Sequence, residues 1–171
     1  MNASNNDSKQ SFPVDRPVDA LVRDHDMVRK LVEAYRNSDS DAVRLNAAEQ
    51  VLMLVETHSL LEEQVFYPAV READPALIGS FEQEHQKTDA LLVALKEKSL
   101  NAPDSFEMFE QMISLLMPHI DREETEFFPA LEKSGMDMKP IGLQMQAYEA
   151  DTVHTQARAS DGQPGSQAGA T

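Results

Sequence analysis

Four of the five histidines in this 171-residue chain, His25, His58, His85 and His119, lie on apolar stripes at helical spacing. Two of them carry a glutamate four residues on, as His58/Glu62 and His119/Glu123. Residues four apart share a helix face, so each imidazole and carboxylate project together. Leu54, Val55, Val65 and Phe66 flank the first pair, and Met112, Leu116, Ile120 and Phe127 flank the second. A carboxylate on a buried stripe is costly unless it has a partner. A single His-x-x-x-Glu is as well explained by an intrahelical pair, and a single buried His by a hydrogen-bonded core residue. Two pairs at the same place in two repeats, joined by His25 and His85 on separate stripes, need a shared explanation. A cation supplies it, because it offsets the desolvation of both carboxylates and gives four imidazoles a partner.

Four imidazoles and two carboxylates are too many donors for one tetrahedral zinc. They suit two ions, each with two His and a share of two bridging carboxylates, and sulfur-free N/O donors favour iron, manganese or zinc. Such a site leaves room for a small molecule such as dioxygen, peroxide or nitric oxide. Other chemistries lack their residues. There is no cysteine, which excludes disulfides, thiolate catalysis and iron–sulfur clusters. No His-Glu-x-x-His, phosphate-cradling glycine loop or Gly-x-Ser-x-Gly elbow is present. The nine methionines are scattered and read as core filling. Fifteen Lys+Arg against 30 Asp+Glu give a formal charge of −15, which argues against nucleic acid or an anionic membrane as partner.

The elements that must hold these residues are helices. Pro17 suits a first helical turn, and Val18, Leu21, His25, Val28, Val32 and Tyr35 follow at steps of three and four. A turn is expected at Asn37–Asp41, and a second helix runs through His58 and ends near Pro68. Asp74-Pro75 opens a third helix, Asn101–Asp104 breaks it, and a fourth runs from about Phe109 to Leu131 with Gly135 as a stop. The His58–Ala69 stretch matches His119–Ala130 at an offset of 61, and Leu21/Phe81, His25/His85 and Val32/Leu92 match at 60. The unit is therefore a helical hairpin used twice. The expected fold is all-α, an up-down-up-down antiparallel four-helix bundle with a pseudo-twofold axis through its centre. Residues 1–14 are expected to be flexible and 15–135 to form the bundle. Residues 136–171 are expected to hold a short weakly patterned helix up to His154, then a disordered tail from Ala157; His154 reads as solvated.

Around the six central residues stand others whose part is open on spacing alone. Glu63 and Glu124 are turned about 100° from the first glutamates and read as rim residues, solvated or supporting a ligand. Tyr35 and Tyr67 near the helix ends either reach the site or pack in the core.

The set Asp-His-Asp, His-x-x-x-Glu-Glu with Phe-x-Pro, Glu-His, and His-x-x-x-Glu-Glu with Phe-Phe-Pro resembles the hemerythrin-like (HHE cation-binding) domain from about Pro17 to Leu131. The resemblance implies a non-haem di-iron centre with an oxo or hydroxo bridge. His25, His58, His85 and His119 would then be terminal iron ligands and Glu62 and Glu123 the bridges. Oxygen-carrying members place a fifth His one turn after the third-helix His, where this chain has Asp89. They also commonly end with an Asp five residues after the last His, where this chain has Glu124 preceded by Glu123. Asp89, Glu63, Glu124 and Tyr67 are therefore candidates for an extra ligand or for groups that hold the ligands. The departure points away from reversible oxygen storage and toward the four-His branch, linked to oxygen or iron sensing, nitric oxide and peroxide. The expected function is binding or sensing of a small oxygen or nitrogen species, or of iron. The alternatives are a catalase-like di-iron enzyme and a metal-free helical adaptor with an acidic surface. A cytoplasmic setting is expected, because Met1–Gln10 is polar and no apolar run approaches a membrane span.

Overall fold

The computed structural model describes residues 11–161, and among these every regular element is a helix. Helix α1 (Val18–Asn37) buries Leu21, His25, Val28, Val32 and Tyr35 along one stripe. Helix α2 (Asp41–Leu61) continues without a break through a π-helical turn, Glu62–Phe66, into the short α3 (Tyr67–Val70). Helix α4 (Pro75–Glu97) starts where the Asp74 carboxylate accepts a hydrogen bond from the Leu77 amide at 3.0 Å. Helix α5 (Ser105–Arg122) repeats the pattern of α2, with a π-helical turn at Glu123–Phe127 leading into α6 (Phe128–Ser134). Gly135 ends α6 with φ 71°, the left-handed position that glycine fills at least cost. Helix α7 (Lys139–Asp161) follows.

Each π-helical turn is followed by a proline. Pro68 and Pro129 each stand two residues past the end of a π turn. In a regular α-helix a proline ring presses on the carbonyl four residues earlier and cannot donate to it. Widening the turn by one residue relieves this clash: the amide of Tyr67 donates to the Glu62 carbonyl and that of Phe128 to the Glu123 carbonyl, both five residues back. The bulges therefore begin on the two glutamates of the repeated motif.

Helices α1 and α2 pack as one hairpin, α4 and α5 as the other, and α2 also meets α4. Ion pairs Arg29–Asp121 (3.0 Å) and Arg36–Glu110 (2.7 Å) tie α1 to α5. Apolar burial falls into two clusters. One contains Val28, Val32, Val55, Leu92, Phe109 and Leu116, and the other Leu21, Leu61, Phe66, Phe81, Phe127 and Leu131. Along α1, α2 and α4 the chain passes from one cluster to the other through its buried histidine, so the polar groups are held between two dry layers.

Two expectations about the ends need correction. In place of a short helix before a loose tail, α7 has 23 residues and takes in Ala157–Asp161. Its apolar stripe is narrow, with Ile141 and Met145 buried and Tyr148 and Thr152 partly so, which is why its pattern reads weakly in the sequence. Residues 12–14 belong to the packed structure: Phe12 packs against the second cluster, and the Val14 carbonyl lies against Gly142 of α7. A Cβ at Gly142 would fall 2.1 Å from that oxygen, so glycine is what allows α7 to sit there. Residues 1–10 and 162–171, also expected to be loose, lie outside the described residues, as does the side chain of His154. No helix among the described residues is long and apolar enough to cross a membrane.

Candidate metal centre

His25, His58, His85 and His119 come from four different helices and are 1%, 7%, 3% and 3% exposed. Glu62 and Glu123, the first residues of the two π turns, are both 0% exposed. Donor atoms converge in two groups: His25, His58, Glu62 and Glu123 form one, and His85, His119 and Glu62 the other. The Nε2 atoms of His25 and His58 are 3.0 Å apart, and those of His85 and His119 are likewise 3.0 Å apart. Glu62 spans the groups, with Oε1 3.3 Å from His58 Nε2 and Oε2 3.3 Å from His85 Nε2. Glu123 presents a single oxygen to both groups, Oε2, at 3.3 Å from His25 Nε2 and 3.5 Å from His119 Nε2.

Each imidazole is held from behind by its own carboxylate. The Nδ1 atoms of His25, His58, His85 and His119 lie 2.9, 3.0, 3.0 and 3.0 Å from Glu124, Asp24, Glu63 and Glu84. An ionised carboxylate only accepts, so each Nδ1 carries the hydrogen and each Nε2 directs its lone pair inward. The scheme obeys the internal repeat. The acid immediately before the first-helix histidine (Asp24, Glu84) serves the other helix of its own hairpin. The second acid of the Glu-Glu pair (Glu63, Glu124) serves the opposite hairpin.

Inside this ring the groups are nearly all acceptors. Glu62 Oε1 and Glu123 Oε2 are fully buried and have no hydrogen-bond partner among the described residues. Buried lone pairs facing one another at 3.0–3.5 Å require positive charge between them, either protons or a bound cation. Without a cation, protons take that place. Burial alone would lower His85, but its hydrogen bonds to Glu62 and Glu63 outweigh this and hold it at about 10. His58 is likewise pushed down by burial, yet the Glu62 charge and the Asp24 hydrogen bond carry it well above 6.5. Glu62, which burial would raise, is kept well below 4.5 by His58. The all-N/O donor set fits a transition-metal pair.

The other residues singled out by spacing divide clearly. Tyr67 is buried in the centre: its hydroxyl donates to Glu123 Oε1 at 2.6 Å and lies 3.3 Å from Glu62 Oε2 and 3.5 Å from His85 Nε2. Burial, then the charges of Glu62 and Glu123, push its phenol well above 10, so it remains a hydrogen-bond donor. Glu63 and Glu124 reach imidazoles of the opposite hairpin, His85 and His25. Asp89 stands outside the converging donor sets, half-buried, its carboxyl raised by burial and by the Glu63 charge. Tyr35 lies in the other apolar layer, its ring 4.6 Å from that of Phe109, away from the site. Asp24 and Glu84 were not anticipated as partners of His58 and His119. The available signal was an acid directly before both first-helix histidines.

Residues 16–131 match the family described as Hemerythrin HHE cation binding domain. The uncharacterised protein Rv2633c of Mycobacterium tuberculosis is 26% identical over 155 residues, covering 82% of this chain and 94% of that protein. The uncharacterised Rv1995 of the same organism is 28% identical over 143 residues, covering 72% of this chain; the match spans about half (56%) of its length. A crystal structure of a hemerythrin HHE cation-binding domain-containing protein from Mycobacterium kansasii, a homologue of Rv2633c, superposes with a TM-score of 0.64. It is 20% identical and covers 80% of this chain and 89% of that one, a likeness of fold. With a family match over most of its length and the repeated His-x-x-x-Glu-Glu residues gathered in its interior, the chain belongs to the hemerythrin HHE cation-binding domain family.

Proposed function

We propose that this chain is a hemerythrin-like protein holding two iron ions, bridged by an oxo or hydroxo group, and that it binds or senses a small oxygen or nitrogen species or iron itself. In this reading α1, α2, α4 and α5 form the antiparallel four-helix bundle, α7 is an addition to it, and the protein works in the cytoplasm. The carrying observation is that four imidazole Nε2 atoms and two fully buried carboxylates converge with their lone pairs facing one another. His25 and His58 would hold one ion, His85 and His119 the other, and Glu62 and Glu123 would be shared. Manganese or zinc would satisfy the same donors. A bound iron pair supplies a redox-active position at which a diatomic molecule or peroxide is held. The protein's part is to fix the imidazole tautomers through Asp24, Glu63, Glu84 and Glu124, to exclude bulk water with two apolar layers, and to keep a proton on Tyr67 beside Glu123. Metal analysis after native purification is expected to find about two irons per chain. A metal-free protein that folds and melts unchanged on adding iron would end this reading in favour of a helical adaptor.

A second reading, catalase-like breakdown of peroxide, is favoured by the Tyr67 hydroxyl, a proton donor buried against the converging donors. Peroxide consumption by the iron-loaded protein above that of free iron supports it. No excess over free iron leaves binding or sensing.

A further inference from the structure

The repeat makes the two halves of the centre near-equivalent, so places where the halves differ show where the molecule is asymmetric on purpose or by neglect. On the His119 side, the Phe81 ring stands edge-on to the imidazole at 5.2 Å. The Arg122 guanidinium lies over Phe81, 5.1 Å from its centroid, and bonds Glu84, the acid that holds His119. That half is sealed. At the equivalent positions on the His58 side the repeat has Leu21 for Phe81 and Leu61 for Arg122. Among the described residues Asp24, the counterpart of Glu84, has His58 as its only ion-pair partner. No guanidinium covers it.

The surface there is open instead. A cleft of ≈ 310 Å³ lies between α2 and α7, with His58 and Leu61 in its floor, Asp24 at its edge, and Tyr148, Glu149 and Thr152 of α7 opposite. The His58 ring is the wall between this cleft and the converging donor atoms. The opposite half has no counterpart of α7, since α7 follows the second repeat and packs on the first π turn and α2.

We propose that this cleft, between α2 and α7, is the entrance to the metal centre for small uncharged molecules of diatomic size. The proposal rests on the metal-binding reading above. Apolar walls from Leu61 and Leu54 admit a neutral guest, while the paired carboxylates of Asp24 and Glu149 at the edge disfavour an anion.

The test uses the full chain, with metal content measured first. Thr152→Trp fills the cleft from α7 without replacing any proposed ligand, and Val93→Trp, at an exposed position on α4, is the control. Nitric oxide association with the iron-loaded protein, followed by stopped-flow absorption, is expected to slow at least about tenfold in T152W and to be unchanged in V93W. In the metal-free protein, xenon under pressure is expected to shift the Leu61 and Val153 methyl resonances, and to lose that effect in T152W. Glu149→Gln is expected to speed azide association and leave nitric oxide unaffected. Should T152W fail to fold, Val153→Phe carries the same test. Unchanged nitric oxide rates in a folded, fully loaded cleft-filling variant, or no xenon in the cleft, overturn the proposal. If native protein carries no metal, the proposed function falls by itself, and the xenon experiment still decides whether the cleft takes a neutral guest.

Discussion

The centre depends on residues that would touch no metal. Each imidazole can offer Nε2 only because a carboxylate claims the hydrogen on Nδ1, and losing such an orienting acid typically costs 10- to 100-fold in metal affinity. Asp24→Asn and Glu84→Gln are therefore expected to weaken metal binding by about that factor, measured by competition with a chelator of known affinity, while leaving the helical content unchanged. Equal affinity in the wild type and both variants would mean that the outer acids only decorate the rim. Tyr67 poses a different question, because its repeat counterpart is Phe128. The phenol donates to the buried Glu123 carboxylate at 2.6 Å, and Tyr67→Phe removes that bond without changing the packing. Leaving a buried charged acceptor short of one donor costs roughly 1–3 kcal/mol, so denaturant unfolding of the metal-free variant should give a free energy lower by that amount. A loss within a few tenths of a kcal/mol would show that Glu123 is satisfied some other way.

At the scale of elements, the π turns and α7 decide what the helices can present. The repeat, the four histidines and the His-x-x-x-Glu pairs were legible in the sequence because offsets of 60 and 61 and a spacing of four survive any detail of packing. The part of Glu63 and Glu124 stayed open between solvation and support of a ligand, since a turn of about 100° from the first glutamates does not say whether a carboxylate meets water or a histidine of the opposite hairpin. The roles of Asp24 and Glu84 were hidden for another reason: each serves a histidine on a neighbouring helix, and sequence spacing registers only neighbours on the same one. Helix α7 escaped as a full-length element because its buried stripe is little more than Ile141 and Met145. Its seat depends on a close approach, with Gly142 against the Val14 carbonyl. Gly142→Ala places a methyl 2.1 Å from that oxygen, which must push α7 or residues 13–15 aside at a cost of about 1–3 kcal/mol. Hydrogen exchange should then speed up in α7 while α1, α2, α4 and α5 keep their protection; uniform protection throughout would show that the close approach is dispensable.

For the whole molecule, the charge at the centre ties stability to pH in opposite senses with and without metal. In the metal-free protein His85 is held at about 10 against 6.5 for an exposed histidine, and His58 is also raised. A group raised on folding contributes stability that is fully present below its unfolded value, here 6.5, and is lost as pH climbs through the folded one. Glu62 is depressed below 4.5, so its contribution is present above 4.5 and is lost as pH falls through its folded value. The metal-free protein is thus expected to be most stable between about 4.5 and 6.5 and to weaken steadily toward pH 10. A cation needs the lone pairs that those protons occupy, so binding releases protons and tightens as pH rises. The loaded protein therefore keeps its stability over the range in which the stripped protein loses it, and the two converge in acid as protons displace the metal. Melting temperatures from pH 5 to 10, with and without chelator, should show a gap that widens with pH. Parallel curves would mean that the buried imidazoles hold the same protons whether or not metal is present, and that the cation sits elsewhere.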